Sequence, residues 1–368
     1  MKAWAAALVA AALSVGLAGC WSNRPVERRN LALMLGVGPA PHHQLRLLFQ
    51  IPTRAGLTGL TKGSGSGSEP SFNIIEGVGT TLTDAFAQAQ AKTTRDLYLG
   101  QVEVVAFSTK LSPQEFEQAR NMFSRLGSLD KTAYAVATPS VRALLSLQPR
   151  SGELPGIILA SNFGCLSCNV EHLERRVWDM ETASYNRGIN LWLPLLTAGK
   201  SGFEINQMAV YADGHPVLTL SPAETQALGY VMGLTHKGTV SFRWHDHLVA
   251  LRGLDARPYF HLTWVQGRPH IDVTLRITGA LAEYLGGELT PEALSEVQAT
   301  AEHLIARRVT AVLRRLQQAK VDPVGFGQAW VWFHPGRFAR LGSWRQAFSQ
   351  AAIHVEVQLR LHDIGDLT

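Results

Sequence analysis

Thr290-Pro291-Glu292-Ala293-Leu294 opens one long periodic run, and Ile353-His354-Val355-Glu356-Val357-Gln358-Leu359-Arg360-Leu361 closes the pattern behind it. Thr followed by Pro and Glu is a helix start: the hydroxyl caps, and Pro is tolerated where its missing N–H is not needed. Apolar residues then recur at Leu294, Val297, Ala301, Leu304, Ile305, Val309, Val312, Leu313 and Leu316, while Arg307, Arg314 and Arg315 lie off that stripe. Spacings of three and four put the stripe on one helix face. The downstream run alternates with a period of two, as a half-buried strand does. The same alternation occurs at Ile271, Val273, Leu275 and Ile277, so strands, one long helix and a returning strand make an α+β unit. The stripe is assigned to core cover and not to a partner helix, because the neighbouring sheet has an apolar face to bury.

Working back from this unit, residues 208–220 predict a hairpin turning at Asp213-Gly214, and Val240–Trp244 and Val249–Leu251 are short strands. The first half has a different rhythm. Leu31–Val37, Leu45–Ile51, Val102–Phe107 and Ala133–Ala137 read as strands. Between them lie helices capped by Thr80 or Thr81, by Ser112 ahead of Pro113, and one over Val141–Leu147. Alternating elements predict an α/β region with a mixed sheet. Gly56–Pro70, with its Gly-Ser-Gly-Ser-Gly-Ser core, is a loop with nothing to bury. Residues 150–205 are rich in Pro, Gly, Asn and Ser, and a helix over Glu171–Ala183 stands out there. The expected organisation is residues 1–19 as a leader, 20–150 as an α/β domain, 151–205 as a linker or middle module, and 206–368 as an α+β domain. In fold class this is a multidomain α/β and α+β chain. Its mixed β-sheets are covered by helices, and its C-terminal sheet is of antiparallel type with one long helix.

The leader is read from Leu17-Ala18-Gly19-Cys20, which ends an apolar run behind Lys2. As a helix, Ala3–Leu17 reaches only about 22 Å, against a hydrocarbon core of about 30 Å. The run is therefore a secretory signal and not a span. Small residues at Ala18 and Gly19 let the chain enter a peptidase groove, and the Cys20 thiol is placed for covalent lipidation by diacylglycerol and an N-acyl chain. A plain secretory signal with a chance cysteine is the competing reading, set aside because Cys20 stands where a lipobox needs it. Two acyl chains, at about 0.8 kcal/mol per buried CH₂, hold a protein to a bilayer where one is marginal.

The chain of 368 residues carries a formal net charge of +5. About 350 residues remain after the leader, enough for two or three domains. The arginines are scattered and no basic cluster is interleaved with aromatics, so nucleic acid is not an expected partner. Cys165-Leu166-Ser167-Cys168 has redox-dithiol spacing, but Ala160–Gly164 does not read as the strand that a thioredoxin-like site requires. A structural disulfide or incidental pair is favoured. Zinc would need more than these thiols and His172. His245 and His247 would share a face if they lay on a strand, yet no third ligand is indicated, and solvated loop or edge positions explain them. Gly36-Val37-Gly38 is followed by Pro39 and Pro41, which prevents a phosphate-binding helix. No nucleophile elbow, phosphate loop or dinucleotide fingerprint is present, so catalytic residues, metal ligands and cofactors are expected to be none.

The residues do resemble one family. Leu17–Trp21, with a tryptophan after the lipobox cysteine, is similar to the start of the Ger(x)C spore germination lipoproteins, as is the strand ending in Gly36-Val37-Gly38. Glu76-Gly77-Val78-Gly79-Thr80-Thr81 resembles the family's helix start, and Leu97–Val105 the strand after it, with Gln101 in place of a customary histidine. Ala209-Val210-Tyr211 with Leu220–Thr225, and Val321-Asp322-Pro323-Val324-Gly325-Phe326-Gly327 with Trp344, are similar to later family motifs in the same order. Ser22 replaces the usual acidic residue, the Gly-Ser loop is an expansion, and Cys165 and Cys168 belong to no family motif. The resemblance implies a non-enzymatic lipoprotein on the extracytoplasmic face of the spore inner membrane. Its implied partners are the bilayer and two integral membrane subunits of A and B type, with any small nutrient contacted indirectly or not at all. Two other readings are a solute-binding lipoprotein, which needs two similar lobes around a cleft, and an extracytoplasmic thiol oxidoreductase using Cys165 and Cys168.

Overall fold

The computed structural model describes residues 28–56, 70–149, 152–165, 173–199, 202–285 and 289–363. The chain enters through β1 (Arg29–Leu31), then runs β2 (Met34–Ala40), β3 (Gln44–Pro52) and β4 (Phe72–Gly79) as an antiparallel meander. Helix α1 (Leu82–Gln90) starts with Thr81, whose hydroxyl accepts from the Asp84 N–H at 3.1 Å while Asp84 accepts from the Thr81 N–H at 3.2 Å. This reciprocal pair satisfies two of the N–H groups a helix start leaves open. Glycine is required just upstream: a Cβ on Gly77 would lie 1.8 Å from the Ala85 carbonyl oxygen, so α1 rests directly on the β4 backbone.

The short β5 (Asp96–Tyr98) pairs parallel with β1, and β6 (Val104–Ser108) pairs parallel with β2. After α2 (Pro113–Arg125), capped by Ser112 as expected, β7 (Tyr134–Thr138) adds parallel to β6. Then come α3 (Val141–Leu145), α4 (Pro155–Gly164), α5 (Val177–Tyr185) and β8 (Trp192–Ala198), followed by the hairpin β9 (Phe203–Ala212) and β10 (His215–Leu220). Its turn is Asp213-Gly214, both residues at positive φ, as the sequence predicts. The result is one eight-stranded sheet in the order β10-β9-β8-β7-β6-β2-β3-β4.

Residues 151–205, read from sequence as a linker or middle module, supply β8 to this sheet and α4 and α5 to the cores beside it. The expected helix over Glu171–Ala183 is corrected: α5 begins at Val177, and residues 166–172 lie outside the described set. Residues 173–176 are extended because β7 takes up their backbone: the Ala135 N–H donates to Arg175 O at 2.7 Å and the Val177 N–H to Ala133 O at 2.9 Å. The expanded Gly-Ser loop also falls outside the described residues.

Helix α6 (Pro222–Met232) leads into β11 (Gly238–Trp244), β12 (His247–Val265) and β13 (Arg268–Tyr284). Then follow α7 (Pro291–Ala319), α8 (Phe326–Phe333), α9 (Pro335–Phe338), α10 (Trp344–Ser349) and β14 (Ala352–Asp363). The second sheet has the order β11-β12-β13-β14. β11, β12 and β13 form antiparallel hairpins, whereas β14 returns through α7 to lie parallel to β13. The long helix buries Val297, Ala301, Ile305, Val309, Val312, Leu313 and Leu316, and Arg307, Arg314 and Arg315 are exposed, as their spacing predicts. The two sheets differ in strand number and connectivity, so the described residues contain no pair of similar lobes around a cleft.

Strand β9 joins the halves. Ala209 and Tyr211 on one face pack with Phe116 and Val177 under the large sheet, whereas Met208 and Val210 on the other pack with Val309 and Leu313 of the C-terminal core. Alternate side chains along a strand point to opposite faces, so one strand seals two cores.

Candidate functional site

Of the residues singled out from sequence, Leu17, Ala18, Gly19 and Cys20 lie outside the described residues. Among the described residues no helix is long and apolar enough to cross a membrane. Cys165 is disulfide-bonded and follows α4 at its C-terminal end. That end of the helix dipole disfavours a thiolate, opposite to the setting of a redox-active cysteine. Cys168 and His172 lie outside the described residues, and among the described ones no three His, Cys, Asp or Glu are grouped to hold a metal ion. The two histidines do not share a strand face: His245 and Asp246 form the β11–β12 turn at φ 45° and 66°, and His245 stacks on Trp244 at 4.3 Å. Gly36 and Gly38 serve packing, with Val141 and Leu145 of α3 lying 3.0–3.2 Å from where a Cβ would be.

The site that the fold builds is the junction around Asp322, in the turn after α7. Asp322 is buried, and its carboxylate accepts three hydrogen bonds at 2.9 Å, from the Gly325 N–H on Oδ1 and from the Gly327 N–H and Trp344 Nε1 on Oδ2. Burial pushes this carboxyl above its usual range, opposed by the Gly327, Trp344, Gly325 and Phe326 donors. Gly325 sits at φ 87°, a conformation that other residues adopt only with strain. At Gly327 a Cβ would lie 2.4 Å from Trp344 Nε1, so the indole lies directly on the backbone. Both glycines and the aspartate of the Asp-x-x-Gly-Phe-Gly turn are thus required by one local geometry.

This turn also ties the halves together. The Asn190 N–H donates to Asp322 O at 2.8 Å, the Asp322 N–H donates to Asn190 Oδ1 at 2.9 Å, and the Gln328 N–H donates to Gly188 O at 2.9 Å. Gly188 must be glycine here, since a Cβ would come within 2.4 Å of the Gln328 nitrogen. Helix α8 therefore hangs from the loop before β8. By the register of the parallel strands, that loop lies at the same edge of the large sheet where β2, β6 and β7 begin.

Around the junction the surface is aromatic. Phe326 and Trp330 face inward, at 1% and 3% exposure, and meet Phe260 and Trp264 of β12 at 5.1 and 5.8 Å. Trp332 and Phe333 face outward at 70% and 77% exposure, and Tyr185 of α5 is also exposed. A groove of about 1060 Å³ runs between α5 and the α9–α10 segment, lined in part by Tyr185, Arg187, Phe338 and Arg345. The Asp322 motif stands out in the sequence, whereas α8 is not among the elements predicted from it. The signal was there: four aromatic residues fall within eight positions, Phe326 to Phe333.

With this geometry in view, the comparisons with known proteins are coherent. The family model described as "Spore germination protein N-terminal domain" matches residues 22–198, and "Spore germination B3/GerAC like, C-terminal" matches residues 206–365. The chain is 19% identical over 356 residues to spore germination protein KC of Bacillus subtilis (strain 168), covering 88% of this chain and 86% of that protein. It is 18% identical over 335 residues to spore germination protein GerQC of Bacillus cereus, covering 88% and 89%. The crystal structure of the GerBC protein matches with a TM-score of 0.60 at 19% identity, covering 89% of this chain and 96% of that one, and shares its fold.

Proposed function

The chain belongs to the Ger(x)C family of spore germination proteins, and on that premise we propose that it is the lipid-anchored C subunit of a spore germinant receptor. The reading is carried by the two germination family models, which cover the chain in order and meet near residue 200. In this proposal the protein catalyses nothing. It is held by acyl chains on Cys20 to the extracytoplasmic face of the spore inner membrane, where it assembles with two integral membrane subunits. Tethering confines the body to a thin layer above the bilayer and raises its effective concentration toward those subunits, so a weak contact becomes populated. Support for a lipid tether comes from the lipobox sequence Leu17-Ala18-Gly19-Cys20. A Cys20→Ala chain is expected to leave the membrane fraction and to impair nutrient-triggered germination. Full membrane retention and normal germination in that variant would refute the proposal.

A further inference from the structure

We infer that the outward face of α8, centred on Trp332 and Phe333, is a second membrane contact that lays the body against an anionic lipid surface. The inference rests on the anchored reading above and adds an orientation to it. Two neighbouring large aromatic side chains are left protruding, while Phe326 and Trp330 of the same helix are packed away. Trp332 and Phe333 line neither the 1060 Å³ groove nor the smaller cavity formed by Trp264, Trp330, Arg340 and Leu341. They are knobs and not walls, a shape suited to insertion into a soft interface more than to receiving another protein's side chains. Tryptophan in particular settles at the headgroup level of bilayers, where its ring is half solvated.

The charge around the knobs has the matching sign. From Pro323 to Val355 the sequence contains no Asp or Glu but has Arg337, Arg340 and Arg345, with His334 beside Phe333. Arg345 is paired with Asp213 at 2.7 Å, whereas Arg340 is exposed and Arg187 lines the neighbouring groove. Arginines near a headgroup layer are attracted to its phosphates. The entry of the chain is compatible with that orientation. Seven residues separate Cys20 from Arg28, and the eight steps between them reach at most about 28 Å. The chain then passes through β1 into β2, which begins at the same end of the large sheet as the Gly188–Asn190 loop that holds α8.

The test uses the mature chain from residue 20 with Cys20→Ala, which carries no acyl chain whether or not the native protein is lipidated. Flotation is measured with vesicles of phosphatidylcholine alone and of phosphatidylcholine with about one-third phosphatidylglycerol. The expected result is binding to the anionic vesicles that falls about tenfold or more in a Trp332→Ser, Phe333→Ser double variant. Binding should fall several-fold with Arg340→Gln or in about 0.5 M salt. Both aromatic side chains are exposed, so thermal unfolding of the double variant should match the parent, and Trp332→Phe should retain most binding. Equal binding by parent and double variant, or no binding by the parent to either vesicle, would overturn the inference. So would photo-crosslinking from position 333 in native membranes that captures protein and no lipid. Lipidation itself is read separately, from the mass of the native amino-terminal peptide, so the two proposals can fail independently.

Discussion

Replacing Asp322 by Asn separates the two forces acting at the junction. In the native turn both carboxylate oxygens are used, one by the Gly325 N–H and the other by the Gly327 N–H and Trp344 Nε1. An amide offers a single acceptor oxygen. In its better orientation it keeps Gly327 and Trp344 but loses the charge, weakening each bond from about 2 to about 1 kcal/mol. The Gly325 N–H is then buried against another donor, at about 2 kcal/mol. Relief of the buried charge, whose cost outweighs the opposing donors in raising the carboxyl pKa, offsets the loss of about 2 kcal/mol from the two weakened bonds. The net expectation is a loss of about 2 kcal/mol, from the orphaned Gly325 N–H, in urea unfolding followed by tryptophan emission. Hydrogen exchange should also quicken at Gly325 and Gly327. A variant within about 0.5 kcal/mol of the parent, or more stable than it, would mean that charge burial governs the site and that the three donors do not hold the turn.

The remaining predictions concern elements whose causes are equally specific. Gly77→Ala should cost about 3 kcal/mol or more in chemical denaturation, because α1 must lift off β4 to admit a methyl group. Glu224 closes the capping box of α6 with Ser221 and pairs with Arg315 of α7; partial burial opposes its ionisation, but these partners hold its carboxyl below the usual range. Glu224→Gln should therefore cost about 1 kcal/mol at neutral pH, a modest amount because the pair is solvent-screened. A lowered carboxyl contributes above the unfolded-state value of about 4.3 and loses that contribution as pH falls through its own lower value. The gap between parent and variant in thermal unfolding should accordingly shrink below about pH 4.

What could be read in the sequence was local. Thr81, Ser112 and Thr290 cap helices where Ser or Thr precedes an apolar period, and Asp213-Gly214 turns the β9–β10 hairpin, because each decision is made within four residues. What escaped was set by distant partners. Only Val249–Leu251 of β12 looked like a strand, since Gly253, Asp255 and Pro258 interrupt the pattern. The strand nonetheless runs to Val265 because β13 pairs with it through two register shifts, the second of which takes up Gly253 at φ 63°. The parallel arrival of β14 is a choice of topology that alternation alone leaves open. Arg175 and Arg176 follow β7 and not a helix for the same reason. For the candidate site, the Asp322 turn was visible as a motif, but its bonds to Asn190 join positions 132 apart and no short window contains them.

Strand β9 has a consequence for how such proteins can be recombined. The boundary between the two family segments falls between residues 198 and 206, inside the hairpin-like contact of β8 with β9. A chimera spliced there would ask a foreign β9 to match the rungs of a native β8 while its two faces fit two unrelated interiors. The halves are therefore not interchangeable cassettes: even a crossover through the Asp213-Gly214 bend, which keeps β9 with the large sheet, sets Met208 and Val210 against a foreign C-terminal interior.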